Sequence, residues 1–96
     1  MNFNPDAVEE IVETAAFYER RVPGLGHSFI DEVERIAGIV REQPQIGQTI
    51  DKIFRRIILA RFPYSLIYSI EPVRIWIIAV THQRRRPGYW REGIDC

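Results

Sequence analysis

A cluster of polar and aromatic side chains near the end of the chain has the composition of a binding or proton-transfer site. The stretch 81–90, "THQRRRPGYW", directly follows the most apolar run of the sequence, "VRIWIIAV" at 73–80. Histidine side chains titrate near neutral pH, so His82 could act as a general acid or base, and Tyr89 could donate or position a proton. The three arginines at 84–86 are planar cations that suit bidentate pairing with carboxylate or phosphate.

Structural roles compete with this chemistry at each position. A histidine at a strand end is more often a hydrogen-bonded structural residue than a catalytic one. Tyr89 and Trp90 could instead pack back on the sheet or a helix, with their polar tips outside. The arginines at 84–86 precede Pro87 and are expected to be exposed. There they serve solubility, or they bind the carboxylates of an acidic partner.

The distribution of charge along the chain favours a basic partner-binding surface. The whole chain is neutral, but residues 1–51 hold ten acidic and four basic side chains, a net of −6. Residues 52–96 hold three acidic and nine basic side chains, a net of +6. Such asymmetry indicates either a binding surface or two charged halves that pair with each other in the fold. Arg55 and Arg56 should alternate faces of a strand, so only one of them can point at a given surface. The predicted partner-binding residues are Arg56, Arg61, Arg74, Trp76, Arg84, Arg85, Arg86 and Trp90.

Two helices are predicted in the acidic half. Asn4-Pro5-Asp6 has the pattern of a helix start, with Asn as the cap, Pro at the first position and an acid in the first turn. The apolar stripe of this helix is predicted as Val8, Ile11, Val12 and Ala15, followed by Phe17 and Tyr18. The helix should end before the breaker cluster 22–24. A second helix over 26–42 has its stripe at Phe29, Val33, Ile36, Ala37 and Val40, and Asp31, Glu32, Glu34 and Arg35 should face away.

Three strands are predicted in the basic half. They cover 53–60, 65–70 and 73–81, and the links between them are short enough to make them antiparallel neighbours. Residues 1–3 could add one very short strand beside the third. The predicted fold is α+β, with the order (β)-α-α-β-β-β: a helical hairpin packed on one face of a small antiparallel sheet.

Strand alternation assigns the two faces of the third strand. Arg74, Trp76, Ile78, Val80 and His82 should share one face, and Val73, Ile75, Ile77, Ala79 and Thr81 the other. The second set is small and aliphatic, so we expect it to lie under the helices. The open face should then carry Arg74, Trp76 and His82.

Length and composition predict a single domain over residues 1–96. The apolar fraction of 46% is ordinary for a folded chain. The one cysteine, Cys96, excludes an intrachain disulfide and fits a reducing cytosol. The longest apolar run, at 75–80, is far too short to span a bilayer, and we see no signal peptide. A cytoplasmic protein with no membrane partner is the expectation.

The motifs of the chain resemble those of the RelE/ParE superfamily of type II toxin–antitoxin toxins. The segments that carry the resemblance are Asn4-Pro5-x-Ala7, Pro23-Gly24-Leu25-Gly26-x-x-Phe29, Asp31-Glu32-Val33-Glu34, Pro44, Arg55-Arg56, Arg61-Phe62-Pro63-Tyr64 and Ala79-Val80-x-His82-x-Arg84-Arg85-x-Pro87-x-Tyr89-Trp90. They cover almost the whole chain. The resemblance implies a β-α-α-β-β-β toxin neutralised by a small cognate antitoxin, with a homodimer or a toxin–antitoxin hetero-oligomer as assembly. It implies no cofactor.

Two activities are known on this fold, and the fold does not choose between them. RelE-like members cut messenger RNA on the ribosome without a metal, for which His82, Arg84 and Tyr89 are the candidate catalytic residues. ParE-like members poison DNA gyrase by binding. RelE-like enzymes usually place a catalytic arginine after the tyrosine that opens the middle strand, and here Ser65 follows Tyr64. They are also rich in lysine, whereas this chain has Lys52 alone. Both departures favour the ParE-like activity, and a decayed toxin that only binds its antitoxin is a third alternative.

Overall fold

The fold is a helical hairpin on one face of a mostly antiparallel sheet, as predicted. The computed structural model describes residues 1–84. The elements in chain order are β1 (Asn2–Phe3), α1 (Pro5–Arg21), α2 (Leu25–Glu42), a 3₁₀ turn (Pro44–Ile46), β2 (Gln48–Thr49), β3 (Phe54–Ile58), β4 (Tyr64–Ile70) and β5 (Ile75–His82). The sequence reasoning did not find β2, because two residues are too few to show an alternating pattern.

The helix boundaries follow local capping chemistry. The Oδ1 atom of Asn4 accepts a hydrogen bond from the backbone N–H of Asp6 at 2.9 Å, which caps α1 as predicted. The start of α2 is capped by α1: the carboxylate of Glu19 accepts hydrogen bonds from the N–H groups of Gly24 at 2.8 Å and Gly26 at 3.0 Å. Gly24 has a φ of +88°, which glycine adopts without steric cost. Within residues 1–84, neither helix is long and apolar enough to cross a membrane.

The sheet has the strand order β1-β5-β4-β3-β2. All neighbours are antiparallel except β1, which pairs parallel with β5 through Asn2 and Phe3. The very short first strand and the interior position of β5 are therefore confirmed. The loop that leads from α2 into β2 is held by the hydroxyl of Tyr68, which donates to the carbonyl of Pro44 and accepts from the N–H of Gly47 at 2.9 Å.

The core lies between the helices and the sheet, and the prediction for α2 was correct. Phe29, Val33, Ile36, Ala37 and Val40 are all buried. Glu32 was expected to face away but is only 7% exposed.

The predicted stripe of α1 was partly wrong. Ala7, Ile11, Ala15 and Tyr18 face the core, whereas Val8 is 45% exposed and Val12 is 59% exposed. The inward positions 7, 11, 15 and 18 recur with the helical period, and Val8 and Val12 each lie one residue further round the helix, which turns them towards solvent.

A β-bulge in β5 changes which side chains share a face. Ile67 lies opposite Ala79 and Tyr68 opposite Ile77, so Ile78 is the extra residue in β5. The N–H of Val80, just after the bulge, donates to the Oε1 atom of Glu10 on α1 at 3.2 Å. The bulge shifts the alternation by one residue for the remainder of the strand.

The predicted faces of β5 are therefore correct before the bulge and wrong after it. Ile77 packs under the helices, and Trp76 lies on the opposite side of the sheet with Ile78. Val80 was expected beside Trp76 but packs in the helix-side core. His82 also lies on the helix side, where it pairs with Tyr64. We call the side opposite the helices the distal face; its buried hydrophobic residues are Phe54, Ile67, Ile78 and Ala79.

Candidate functional site

An aromatic cluster at one end of the sheet supports the predicted site residues there. The ring of Tyr18 from α1 lies 5.7 Å from Phe29 of α2 and 5.1 Å from Phe62 of the β3–β4 loop, measured between ring centroids. Tyr64 lies 5.4 Å from Phe29 and packs edge-on against the ring of His82 at 5.1 Å. The cluster joins both helices to the loop and to the end of β5, so side chains at this end have a rigid base.

His82 is held in a way that limits its use as a general base. Its Nδ1 atom accepts a hydrogen bond from the backbone N–H of Arg84 at 3.0 Å. Neutral imidazole then carries its proton on Nε2, so neither nitrogen has a lone pair free for a general base. The contact turns the chain after β5 and presents the exposed side chain of Arg84. The hydrogen bond thus helps to fix the geometry of this turn.

Arg61 and Arg84 belong to the same end of the sheet. Arg61 lies in the loop between β3 and β4, and the N–H of Gln83 donates to the carbonyl of Pro63 in that loop at 2.9 Å. Both arginine side chains are exposed. Phe62, between Arg61 and Pro63, is 7% exposed and anchors the loop in the core. In the "RFPY" motif, the buried ring of Phe62 therefore anchors the loop and the adjacent Arg61 presents its cation to solvent.

The buried carboxylate of Glu32, which the sequence did not predict as buried, holds the β3–β4 loop in place. The Oε2 atom of Glu32 accepts the backbone N–H of Ala60 at 2.8 Å. The same carboxylate accepts hydrogen bonds from the Nε and Nη2 atoms of Arg35, both at 2.9 Å. The guanidinium of Arg35 is the main cause of a pKa of Glu32 below its ordinary value, and the Ala60 N–H adds to it against the opposing effect of burial. The i,i+3 spacing of acid and arginine on a helix was the available sequence signal.

Arg74 and Trp76 form a separate pair at the opposite end of β5. The guanidinium carbon of Arg74 lies 4.1 Å from the centroid of the Trp76 ring, which is a cation–π contact. The Nε atom of Arg74 also donates to the Oε1 atom of Glu71 at 2.7 Å. Trp76 packs against the buried residues of the distal face. This pair is thus separated along β5 from Arg61 and Arg84.

Arg56 lies on the distal face, and Arg55 points the other way, as strand alternation predicts. The Nη1 atom of Arg55 donates to the carbonyls of Gln45 at 3.0 Å and Gly47 at 2.8 Å, so this side chain stabilises the loop before β2. Arg56 donates from Nη2 to the Oε1 atom of Gln48 at 3.2 Å. Its Nε atom is buried and has no hydrogen-bond partner within the part of the chain that the structure describes.

The predicted residues therefore occupy three places. Arg61 and Arg84 lie at one end of the sheet with His82, Arg74 and Trp76 at the other, and Arg56 on the distal face. The remaining predicted residues lie outside the described residues: Arg85, Arg86, Tyr89 and Trp90.

Comparison with known proteins decides the family. Residues 1–87 match the family model described as the ParE toxin of the type II toxin–antitoxin system, parDE. The chain belongs to the ParE toxin family. A search of the curated proteins found no match. Membership confirms the RelE/ParE fold and the toxin class expected from the motifs, and it implies a cognate antitoxin as partner.

The position that follows Tyr64, where RelE-like nucleases usually have an arginine, holds a buried serine in this ParE-family chain. Tyr64 opens β4 as expected, and Ser65 follows it. The side chain of Ser65 is 4% exposed and lies on the distal face, opposite Thr81 of β5. A serine here offers a small neutral hydroxyl at the position where the RelE-like resemblance leads one to expect an arginine.

Proposed function

We propose that this chain is a toxin that acts by binding a protein target, with DNA gyrase as the family precedent, and not by cutting RNA. The observation that carries the proposal is the hydrogen bond from the Arg84 N–H to Nδ1 of His82. It occupies the nitrogen that a base would use and leaves the other one protonated. Of the candidate catalytic residues His82, Arg84 and Tyr89, His82 then lacks a free lone pair for a general base and keeps only the Nε2–H of a general acid.

The placement of the cations supports the same reading. A phosphoryl-transfer site needs several cations aimed at one phosphate. Here Arg61 and Arg84 lie at one end of the sheet, and Arg74 at the other is engaged by Glu71 and Trp76. The acidic helical half, with its net charge of −6, also opposes the close approach of ribosomal RNA.

The proposal is tested with purified protein in two parallel assays. The first measures supercoiling of relaxed plasmid by DNA gyrase and the accumulation of cleaved DNA. We expect inhibition of supercoiling that the cognate antitoxin reverses. The second measures cleavage of ribosome-bound messenger by primer extension, where we expect none.

Two results would overturn the proposal. One is messenger cleavage that His82→Ala or Arg84→Ala abolishes while the circular dichroism spectrum stays native, which would establish the nuclease alternative. The other is no effect on gyrase or ribosomes with intact antitoxin binding, which would indicate the decayed toxin. Arg20→Ala serves as the matched control, because Arg20 is an exposed arginine in the last turn of α1.

A further inference from the structure

A cleft of about 400 Å³ lies between the first half of α2 and the β3–β4 loop. Four of its lining residues come from α2 and two from the loop: Ser28, Asp31, Glu32, Arg35, Ala60 and Arg61. Four of the six are charged. The cleft is open to solvent and lies next to the aromatic cluster described above, so its walls rest on the rigid end of the sheet.

Within the cleft, Glu32 and Arg35 form the one charge pair, because the carboxylate of Glu32 is occupied by the forked contact with Arg35. The carboxylate of Asp31 lies 3.6 Å from the Nε2 atom of the exposed His27, a contact that is an ion pair only when the imidazole is protonated. The guanidinium of Arg61 makes no hydrogen bond or salt bridge with any residue that the structure describes, and its charge contributes to the lowered pKa of Glu32. The cleft therefore holds one cation that is ready to pair.

The backbone that carries Arg61 is fixed on both sides. Before it, the N–H of Ala60 is bound by the buried carboxylate of Glu32 at 2.8 Å. After it, the ring of Phe62 is 7% exposed and lies 5.2 Å from the ring of Phe29. A charged group on a rigid support loses less conformational entropy when it binds than one on a mobile loop.

We propose that this cleft binds a carboxylate side chain of a protein partner, with Arg61 as the anion-binding group and Glu32 as a positioning residue. The inference rests on the proposed function, because it names where a protein target would be held. Arg61 offers two parallel N–H donors, which match the two oxygens of a carboxylate. Arg35 also lines the cleft, and its Nη1 atom, which makes no hydrogen bond with the described residues, offers a further donor.

The surroundings select a single carboxylate over a nucleic acid. Asp31 and Glu32 flank Arg61, and two negative groups so close would repel a chain of phosphates. One carboxylate adds a single charge, which one unpaired guanidinium can neutralise. A single acidic side chain of a protein is therefore the favoured ligand, and an RNA strand is the alternative that the experiment must exclude.

The test uses the full chain labelled with ¹⁵N at its arginines, followed by NMR of the side-chain Nε–Hε signals. The probe is a capped peptide with a single glutamate among neutral residues, with a single-stranded RNA oligonucleotide in a parallel titration at the same ionic strength. We expect the peptide to shift the Arg61 signal most. Arg61→Ala should weaken peptide binding by about tenfold, the loss expected for a charge-assisted pair. Arg41→Ala, at the far end of α2, should leave the affinity unchanged.

The positioning role of Glu32 has its own readout. Glu32→Gln keeps an oxygen that can accept the Ala60 N–H, whereas Glu32→Ala removes it. We expect Glu32→Ala to weaken the peptide and Glu32→Gln to restore most of the affinity, at a temperature where both variants are folded. Equal affinities for both variants and the native chain would overturn this role.

Three outcomes would overturn the proposal that the cleft binds a carboxylate: equal shifts at all exposed arginines, no effect of Arg61→Ala, or a larger Arg61 shift with RNA than with peptide. The outcome of this test can be distinguished from the outcome of the gyrase assay. Arg61-specific peptide binding without gyrase inhibition would support the cleft and overturn only the proposed target. Gyrase inhibition that is unchanged by Arg61→Ala, together with no peptide binding, would overturn the cleft alone.

Discussion

His82 accepts the backbone N–H of Arg84 through Nδ1 at 3.0 Å, while its ring packs edge-on against Tyr64 at 5.1 Å. The two contacts hold the imidazole between the aromatic cluster and the turn that follows β5. A residue that the sequence marks as a candidate acid or base is thereby used to fix the direction in which the chain leaves the sheet. The same contact places the exposed Arg84 beside the loop that carries Arg61.

Replacing His82 by asparagine should preserve toxicity. The Oδ1 atom of asparagine can accept the Arg84 N–H at nearly the position of Nδ1, but asparagine cannot transfer a proton. We therefore expect His82→Asn to retain growth inhibition in an induced-expression assay, and His82→Ala to lose part of it through a looser turn. Loss of all activity in a folded His82→Asn protein would instead point to acid–base chemistry at this residue.

Phe29 should be among the most costly residues of the core to truncate. It is fully buried and its ring contacts Tyr18, Phe62 and Tyr64. Phe29→Ala should lower the free energy of unfolding by about 3–5 kcal/mol in a urea titration. Phe17→Ala is the matched control, since Phe17 on α1 is 42% exposed, and it should cost about 1 kcal/mol or less. Similar costs for the two variants would contradict the core described here.

Two glycines of α2 should respond to alanine in opposite directions. A Cβ atom at Gly26 would lie 2.3 Å from the carbonyl oxygen of Ala15, so Gly26→Ala must push the two helices apart. We expect a loss of about 1–3 kcal/mol. A Cβ atom at Gly38 meets nothing within 4 Å, so Gly38→Ala should raise stability by about 0.5–1 kcal/mol through a less flexible unfolded chain. Thermal unfolding of both variants measures the difference, and a shift of the same sign would refute it.

The stability that Glu32 provides should depend on pH. Because Arg35 and the Ala60 N–H hold the pKa of Glu32 below its ordinary value, folding favours the ionised form. This contribution is fully present above the pKa of the unfolded chain, near 4.5, and is lost as pH falls through the lower folded value. The difference in unfolding free energy between the native chain and Glu32→Gln should therefore shrink from pH 6 towards acid. A difference that stays constant down to about pH 2 would mean that folding does not lower the pKa of Glu32.

Reversing the charge of Arg84 should weaken the complex with the antitoxin. An exposed arginine that meets an acidic antitoxin segment contributes an attraction that salt screens. We expect Arg84→Glu to lower affinity in calorimetry and to reduce its dependence on salt. Arg20→Glu changes the net charge equally at the end of α1 and should alter affinity little. Unchanged affinity for Arg84→Glu at both low and high salt would mean that Arg84 faces away from the antitoxin.

Local patterns in the sequence were sufficient for most of the fold. Asn4-Pro5-Asp6 predicts the start of α1, because capping depends only on neighbouring residues. The stripe Phe29, Val33, Ile36, Ala37 and Val40 predicts the buried face of α2, since each of these residues is apolar and recurs with the helical period. Combined motifs such as "RFPY" predicted the family. In each case the signal lies within one turn, one helix or one short segment.

Contacts between distant segments decided what the sequence could not. The bulge at Ile78 places His82 on the helix side of the sheet. The residue types of β5 do not predict this bulge, because the extra residue is defined only by the register with β4. Glu32 is buried because Arg35 and the Ala60 N–H of a loop 28 residues away together satisfy its charge. Ala7 faces the core in place of Val8, because the packing of α1 on the sheet decides which side of the helix turns inward. These outcomes depend on register, on partners far along the chain and on the packing between layers, which are properties of the tertiary structure.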